Sequence, residues 1–345
     1  MADLNTSRRD LARGLALLGA AAALPAAAAA QGRGGGGGPA AAVNAAYQQY
    51  RGLAEGKNAD YIPALAKVNP NYFGIALVTP RGETATAGDI EPTFSIQSIS
   101  KVFTMALVFQ ESGEAVVENS VGVDATGQVF NSIVAVEQFK GKEMNPLVNP
   151  GAIATTGMVK GGSADEVWNK ILGIHSAFAG RQLSVDQEVY KSESDTNQRN
   201  RAIAMLMKAY ERFPSDPAQA VDLYTRQCSI AVNAKDLGVM AATLANGGRN
   251  PVTKKQVIDA KFVPGILAVM ATAGLYDDSG KWLFHTGLPA KSGVGGGLIA
   301  VSPGKFGVGT FSPPLDAAGN SVRGQRAIKA ISDALGGNPL ASTPV

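Results

Sequence analysis

The chain has 345 residues, 45% hydrophobic and 17% charged, a globular composition with material for a substantial core. Its net charge of +3 falls to +2 once Arg8, Arg9, Arg13, Asp3 and Asp10 at the N-terminus are set aside, too near neutral for a nucleic-acid or polyanion partner. A single cysteine, Cys228, excludes an internal disulfide framework, and with only two histidines, His175 and His285, a multi-histidine metal site is not expected.

Residues 7–12 read SRRDLA, a twin-arginine signature ahead of the weakly apolar run Leu15–Ala30, with Ala-x-Ala cleavage options near Ala30. That run carries Gly19 and Pro25 and falls short of the roughly 20 residues that a bilayer span needs. Residues 1–30 are therefore read as a signal peptide and 31–42, with Gly34–Gly38, as a flexible linker. The expectation is an exported, periplasmic protein with no stable membrane anchor after processing.

A single folded domain is expected over 43–340. A short helix is placed around Ala45–Leu53. Tyr72–Gly88 reads as a hairpin, two β-rich runs around a turn at Pro80, Arg81 and Gly82. A helix opens at Ser98, with Phe103, Leu107 and Val108 near helical spacing, and residues 145–274 are mostly helical in pattern. Within them Leu237, Met240, Ala241 and Leu244 form a stripe, with Asp236 near its start and Asn246-Gly247 as a stop. Strands are expected at Trp282–Leu288, Leu298–Ser302 and Phe306–Phe311, and a closing helix over Val322–Leu335. This order predicts an α/β (α+β) fold. One antiparallel sheet is built from both termini (43–110 and 275–340) and flanked by helices, and a helical lobe spans about 111–274. A site belongs in the cleft between the lobes, with the start of the Ser98 helix at its edge.

Ser98 and Lys101 stand three apart and share one helix face. They are either a nucleophile with its base or ordinary polarity at a helix start. A serine hydroxyl attacks only when a base takes its proton, and a lysine can be that base if desolvation or a second cation lowers its pKa. Lys291, in AKSGVGGG, is a candidate second cation. S-x-x-K and K-S-G are each common by chance. In the order hairpin, S-x-x-K helix, helical lobe, K-S-G strand, they resemble the serine–lysine arrangement of penicillin-binding proteins and class A β-lactamases. SESDTNQRN could be a solvated loop or an ammonium site, and Tyr224 and Tyr276 could be core aromatics or proton relays. Cys228, one turn beyond Tyr224, reads as packing, and His285 as a strand residue with no acid partner for a triad.

YIPALAKVNP, FSIQSISKVF, NPLVNPGAIATT, SESDTNQRNRAIA, YTRQCSIAV, MAATLANGG, AGLYDDSGKWLFHTGLPAKSGVGGG and FSPPLDAAGNSVRG, collinear from Tyr61 to Gly324, resemble the glutaminase family. The resemblance implies a serine β-lactamase-like fold and hydrolysis of L-glutamine to L-glutamate and ammonia, without metal or organic cofactor. By matching motifs, it implies that Ser98 is the nucleophile and Lys101 its base. Tyr224 and Tyr276 match catalytic tyrosines. Tyr61, Asn149, Glu193 and Asn200 match substrate contacts, and Val294 the residue whose backbone N–H joins that of Ser98 in the oxyanion hole. Pro150 departs from relatives that carry alanine. A homodimer or homotetramer is expected. Two rival readings are an exported penicillin-interacting serine hydrolase and an amino-acid-binding sensor without turnover.

Overall fold

Residues 74–88 and 290–311, far apart in sequence, meet in one antiparallel sheet. The computed structural model describes residues 37–142, 144–212 and 215–342; the signal-peptide reading and the first half of the linker lie outside them. Strands β1 (Gly74–Val78) and β2 (Thr84–Gly88) form the expected hairpin. The short strands β3 (Phe94–Ser95), β4 (Ser184–Val185) and β5 (Ile230–Val232) form a second sheet in the order β3-β5-β4. Strands β6 (Ala290–Ser292), β7 (Gly297–Ser302) and β8 (Phe306–Phe311) complete the main sheet, ordered β2-β1-β8-β7-β6 and antiparallel throughout.

The pattern of each strand follows its place. β1 is buried at every residue because helices cover both faces of the sheet, so it reads as an unbroken apolar run. β2, at the edge, alternates Thr with Ala and leaves its threonines exposed. Helices Pro39–Tyr50 and Val322–Leu335 pack together on one face. There Val43, Phe73, Ile75, Leu298, Val308, Ile328 and Ile331 share a core. Helix Ala234–Ala245 lies on the other face against β1, β7 and β8. It sits unusually close: a Cβ on Gly307 or Gly309 would fall within 2.1 Å of Ala242 N or 2.3 Å of Gly238 N, so only glycine fits there. The stripe Leu237, Met240, Ala241 and Leu244 is buried, and Asn233 and Asp236 close a capping box at the helix start.

Two expectations about elements need correction. Trp282–Leu288 is not a strand; Ser279–Thr286 forms a helix that ends at Gly287 with φ +65°. Its buried residues, Ser279, Trp282 and Thr286, recur at helical spacing rather than in alternation, which outweighs the β-preference of Trp, Phe and Thr. The third C-terminal strand is β6, which carries the K-S-G lysine, and His285 is an exposed helical residue. The first helix begins at Pro39, inside the stretch read as linker, because proline is well placed in a first turn and the alanines after it favour helix.

Candidate active site

Ser98 lies at the turn between β3 and the helix Ser100–Ser112. β3 pairs with β5, and Ile96 N–H donates to the Ile230 carbonyl at 2.8 Å, which fixes the chain just before the turn. Gln97 then adopts φ +51°, a left-handed conformation that costs a non-glycine residue roughly 1–3 kcal/mol. Gln97 Nε2 donates to Ser95 Oγ at 3.1 Å and to Glu193 Oε2 at 3.2 Å, so the strained residue also grips the opposite wall. This role of Gln97 was not read from the sequence, although the residue directly precedes the serine.

Lys101, in the first helical turn, is buried. Its Nζ donates to Asn149 Oδ1 at 2.7 Å and to the Leu147 carbonyl at 3.4 Å. Among the described residues no carboxylate lies within ion-pair distance of it. Burial lowers its pKa to about 8, against a smaller upward pull from Cys228 and Glu193. Lys291, expected as a second cation, is itself held well below the ordinary lysine range by burial and by Lys101. Lys101 therefore owes its low pKa to desolvation.

Asn149 opens the helix Asn149–Gly157, with Pro150 in the first turn, where its missing N–H costs nothing. Its Oδ1 also accepts from the Tyr224 hydroxyl at 3.2 Å, and its Nδ2 donates to Asn200 Oδ1 at 3.0 Å. Tyr224, on helix Pro217–Cys228, is buried, and burial raises its phenol well above the usual range. Glu193, on helix Gln187–Thr196, is also buried, which pushes its carboxyl up to about 7 despite the Gln97 bond and Lys101.

Tyr276 completes the centre with φ +52°. Its buried side chain packs with Val294 beside Ser98, and its hydroxyl donates to the Ser292 carbonyl at 3.4 Å; burial raises its pKa to about 12. The turn after β6 lies along the segment leading to Ser98. A Cβ on Gly293 would come within 2.7 Å of the Ile96 carbonyl oxygen, and one on Gly295 within 2.6 Å of that of Ser95. These contacts hold Val294, buried between the two glycines, beside Ser98.

Tyr61, Gln97, Ser98, Asn149, Glu193, Asn200, Tyr224 and Val294 line one cleft of about 140 Å³. Tyr61 is 56% exposed, as befits a rim residue. Tyr276 stands behind this lining, against Ser98 and with its ring 4.7 Å from that of Phe130. The cleft also holds Asn131 and Arg199, which sequence reasoning passed over; Arg199 Nε donates to the Asn131 carbonyl at 2.9 Å. His175 is buried, with its ring nitrogens against the Ile171 and Ser100 carbonyls, and does not line the cleft.

A profile of the family described as glutaminase matches residues 56–338. The chain belongs to the glutaminase family. It is 54% identical over 293 residues to the glutaminase of Colwellia psychrerythraea, covering 85% of this chain and 94% of that one. The glutaminase of Brucella canis is 52% identical over 301 residues, 86% of this chain and 95% of its own. Among solved structures, the probable glutaminase YbaS superposes with a TM-score of 0.87 at 46% identity, covering 88% of this chain and 98% of that one. A probable glutaminase from Bacillus subtilis complexed with 6-diazo-5-oxo-L-norleucine gives 0.78 at 31%, covering 86% and 95%. The fold is thus the serine β-lactamase-like one of glutaminases, and the chain is an enzyme that hydrolyses glutamine.

Proposed function

We propose that this glutaminase cleaves L-glutamine through a glutamyl ester on Ser98, with Lys101 as the base. The observation that carries this reading is Lys101 itself: buried, three residues from Ser98, with only neutral hydrogen-bond partners, so that its neutral form is reached near pH 8. Neutral Lys101 takes the Ser98 proton, and Oγ bonds to the side-chain carbonyl carbon of glutamine. The oxyanion is met by the N–H groups of Ser98 and Val294, a type of contact worth about 3–4 kcal/mol. The C–N bond then breaks, the nitrogen leaves as ammonia with the proton returned from Lys101, and water hydrolyses the ester by the same route in reverse. The Tyr224 and Tyr276 phenols, whose pKa values are raised by burial, stay protonated and pass protons rather than act as free bases.

The opposite wall suits a free amino acid. Glu193 holds the α-ammonium, and Asn149, Asn200 and Tyr61 offer neutral donors for the α-carboxylate. Glu193→Gln is expected to lower kcat/KM about 10- to 150-fold, the loss of one charge-assisted bond of roughly 1.5–3 kcal/mol. With its pKa raised to about 7 by burial, Glu193 becomes protonated as the pH falls below that value and can no longer pair with an ammonium. KM should therefore rise below about pH 7 in the parent enzyme, while the Gln variant loses that limb. Steady-state kinetics between pH 5.5 and 9 measure both, and an unaltered kcat/KM in the variant places the ammonium elsewhere.

Ammonia release from L-glutamine, L-asparagine and a β-lactam tests the substrate assignment. Glutamine should turn over fastest. One methylene in a pocket is worth only about 1–3 kcal/mol, so the margin over asparagine is 10- to 200-fold at most. Faster opening of the β-lactam would favour the penicillin-interacting reading, and binding of glutamine without ammonia release would favour the sensor.

The N-terminal sequence supports export of the folded enzyme by the twin-arginine route. Arg8 and Arg9 precede a weakly apolar run, as that route requires. Replacing both by lysine should leave the enzyme in the cytoplasm; fractionation that finds the variant exported like the parent rejects this route.

A further inference from the structure

We propose that Lys291 is a positioning residue for the reaction, holding the Tyr276 phenol against Ser98. The inference rests on the reading of Tyr276 as a proton relay to Ser98. Lys291, on β6, is completely buried, and no carboxylate among the described residues lies within ion-pair distance of it. A buried amine is costly to desolvate, and an apolar side chain of similar length would fill the space without that cost. Its N–H groups therefore have work to do, and both of their acceptors adjoin Tyr276.

Lys291 Nζ donates to the Gly274 carbonyl at 3.0 Å, two residues before Tyr276. It donates also to the Ser292 carbonyl at 2.8 Å, the same oxygen that accepts from the Tyr276 hydroxyl. The nitrogen lies 4.2 Å from the centre of the Tyr276 ring. One amine thus fixes the backbone leading into the tyrosine, the acceptor of its hydroxyl, and the ring face between them. The next residue of K-S-G extends the cradle: Ser292 Oγ donates to Asn320 Oδ1 at 2.6 Å, and Asn320 Nδ2 donates to the Leu275 carbonyl at 3.3 Å. Such support is needed because Tyr276 holds φ +52°, which a tyrosine does not favour on its own. Lys291 accordingly reaches the chemistry through Tyr276.

The test compares Lys291→Met, Tyr276→Phe and the double variant in the full enzyme, by ammonia release with kcat and KM resolved. Tyr276→Phe should lower kcat by about 10²-fold or more, as removal of a proton-transfer group does. Lys291→Met should lower kcat at least tenfold, with KM for glutamine within about twofold of the parent. The double variant should be no slower than Tyr276→Phe by more than about twofold, because a residue acting through the phenol has nothing left to position. If the two losses multiply, or if Lys291→Met raises KM while kcat holds, Lys291 has a general structural role and the proposal is wrong. An unchanged kcat in Tyr276→Phe would instead overturn the relay reading, and this inference with it. If Lys291→Met is not folded by circular dichroism and thermal melting, Lys291→Gln gives the same three-way comparison.

Discussion

Ser98→Ala is expected to lower kcat for glutamine by about 10⁴-fold or more, on the scale seen when other serine nucleophiles are removed. It should leave glutamine binding within a few-fold of the parent. In the proposed mechanism the hydroxyl makes the bond that defines the reaction but contributes little to ground-state affinity, which is assigned to the cleft residues Glu193, Asn149, Asn200 and Tyr61. The loss is accordingly one of kcat. Ser98 also sits behind a strained Gln97 whose amide reaches Glu193, and an alanine disturbs neither feature. Calorimetric titration of the folded variant with glutamine, beside its residual ammonia release, checks both halves. Binding lost together with turnover would mean that Ser98 organises the pocket rather than reacting in it.

Lys101→Arg is expected to be nearly as inactive as Lys101→Ala, each falling by about 10³-fold within the usual range for a lost general base. Arginine keeps the positive charge but does not give up its proton at working pH. If Lys101 contributed only charge, arginine would restore much of the activity. The surroundings argue for a base: a buried amine donating to Asn149 Oδ1 and a backbone carbonyl, with its pKa lowered to about 8 by desolvation. The sign of the pH dependence follows. The neutral, competent form grows as pH rises through about 8, so the parent's kcat/KM should climb over that interval. Both variants should lose that limb. Substantial activity in Lys101→Arg, or a parent profile flat through pH 8, counts against the base assignment.

Much of this was legible in the chain because local pattern and tertiary role agree. The hairpin reads from two β-rich runs and a Pro-Arg-Gly turn, and β1 and β2 lie where those runs predict. The helix Val322–Leu335 has the boundaries read for it, with its buried residues on one face and Gly336 as its stop. The Trp282–Leu288 error shows the opposite case. Strand-forming residues were placed in a helix by burial of Trp282 and Thr286 one turn apart, and composition alone does not reveal that. The sheet β3-β5-β4 escaped notice because its strands span only two or three residues, too few for a period, and its pairings join distant parts of the chain.

The site divides in the same way. Ser98 and Lys101 are neighbours in sequence and were read as one helix face; Ser98 instead sits in the 3-10 turn that leads into the helix carrying Lys101. The contacts of Lys101 with Asn149, of Gln97 with Glu193 and of Lys291 with Gly274 join residues 48, 96 and 17 apart. No local pattern encodes those distances. Lys291 is instructive: its motif was plain, but its contacts with the Gly274 and Ser292 carbonyls were not, and the low pKa of Lys101 comes first from its own burial.

The most direct test of the central claim is to acid-quench the enzyme during turnover of L-glutamine and map the acylated peptide by mass spectrometry. The account predicts a glutamyl ester on Ser98, absent from Ser98→Ala. A glutamyl group on any other residue would contradict it.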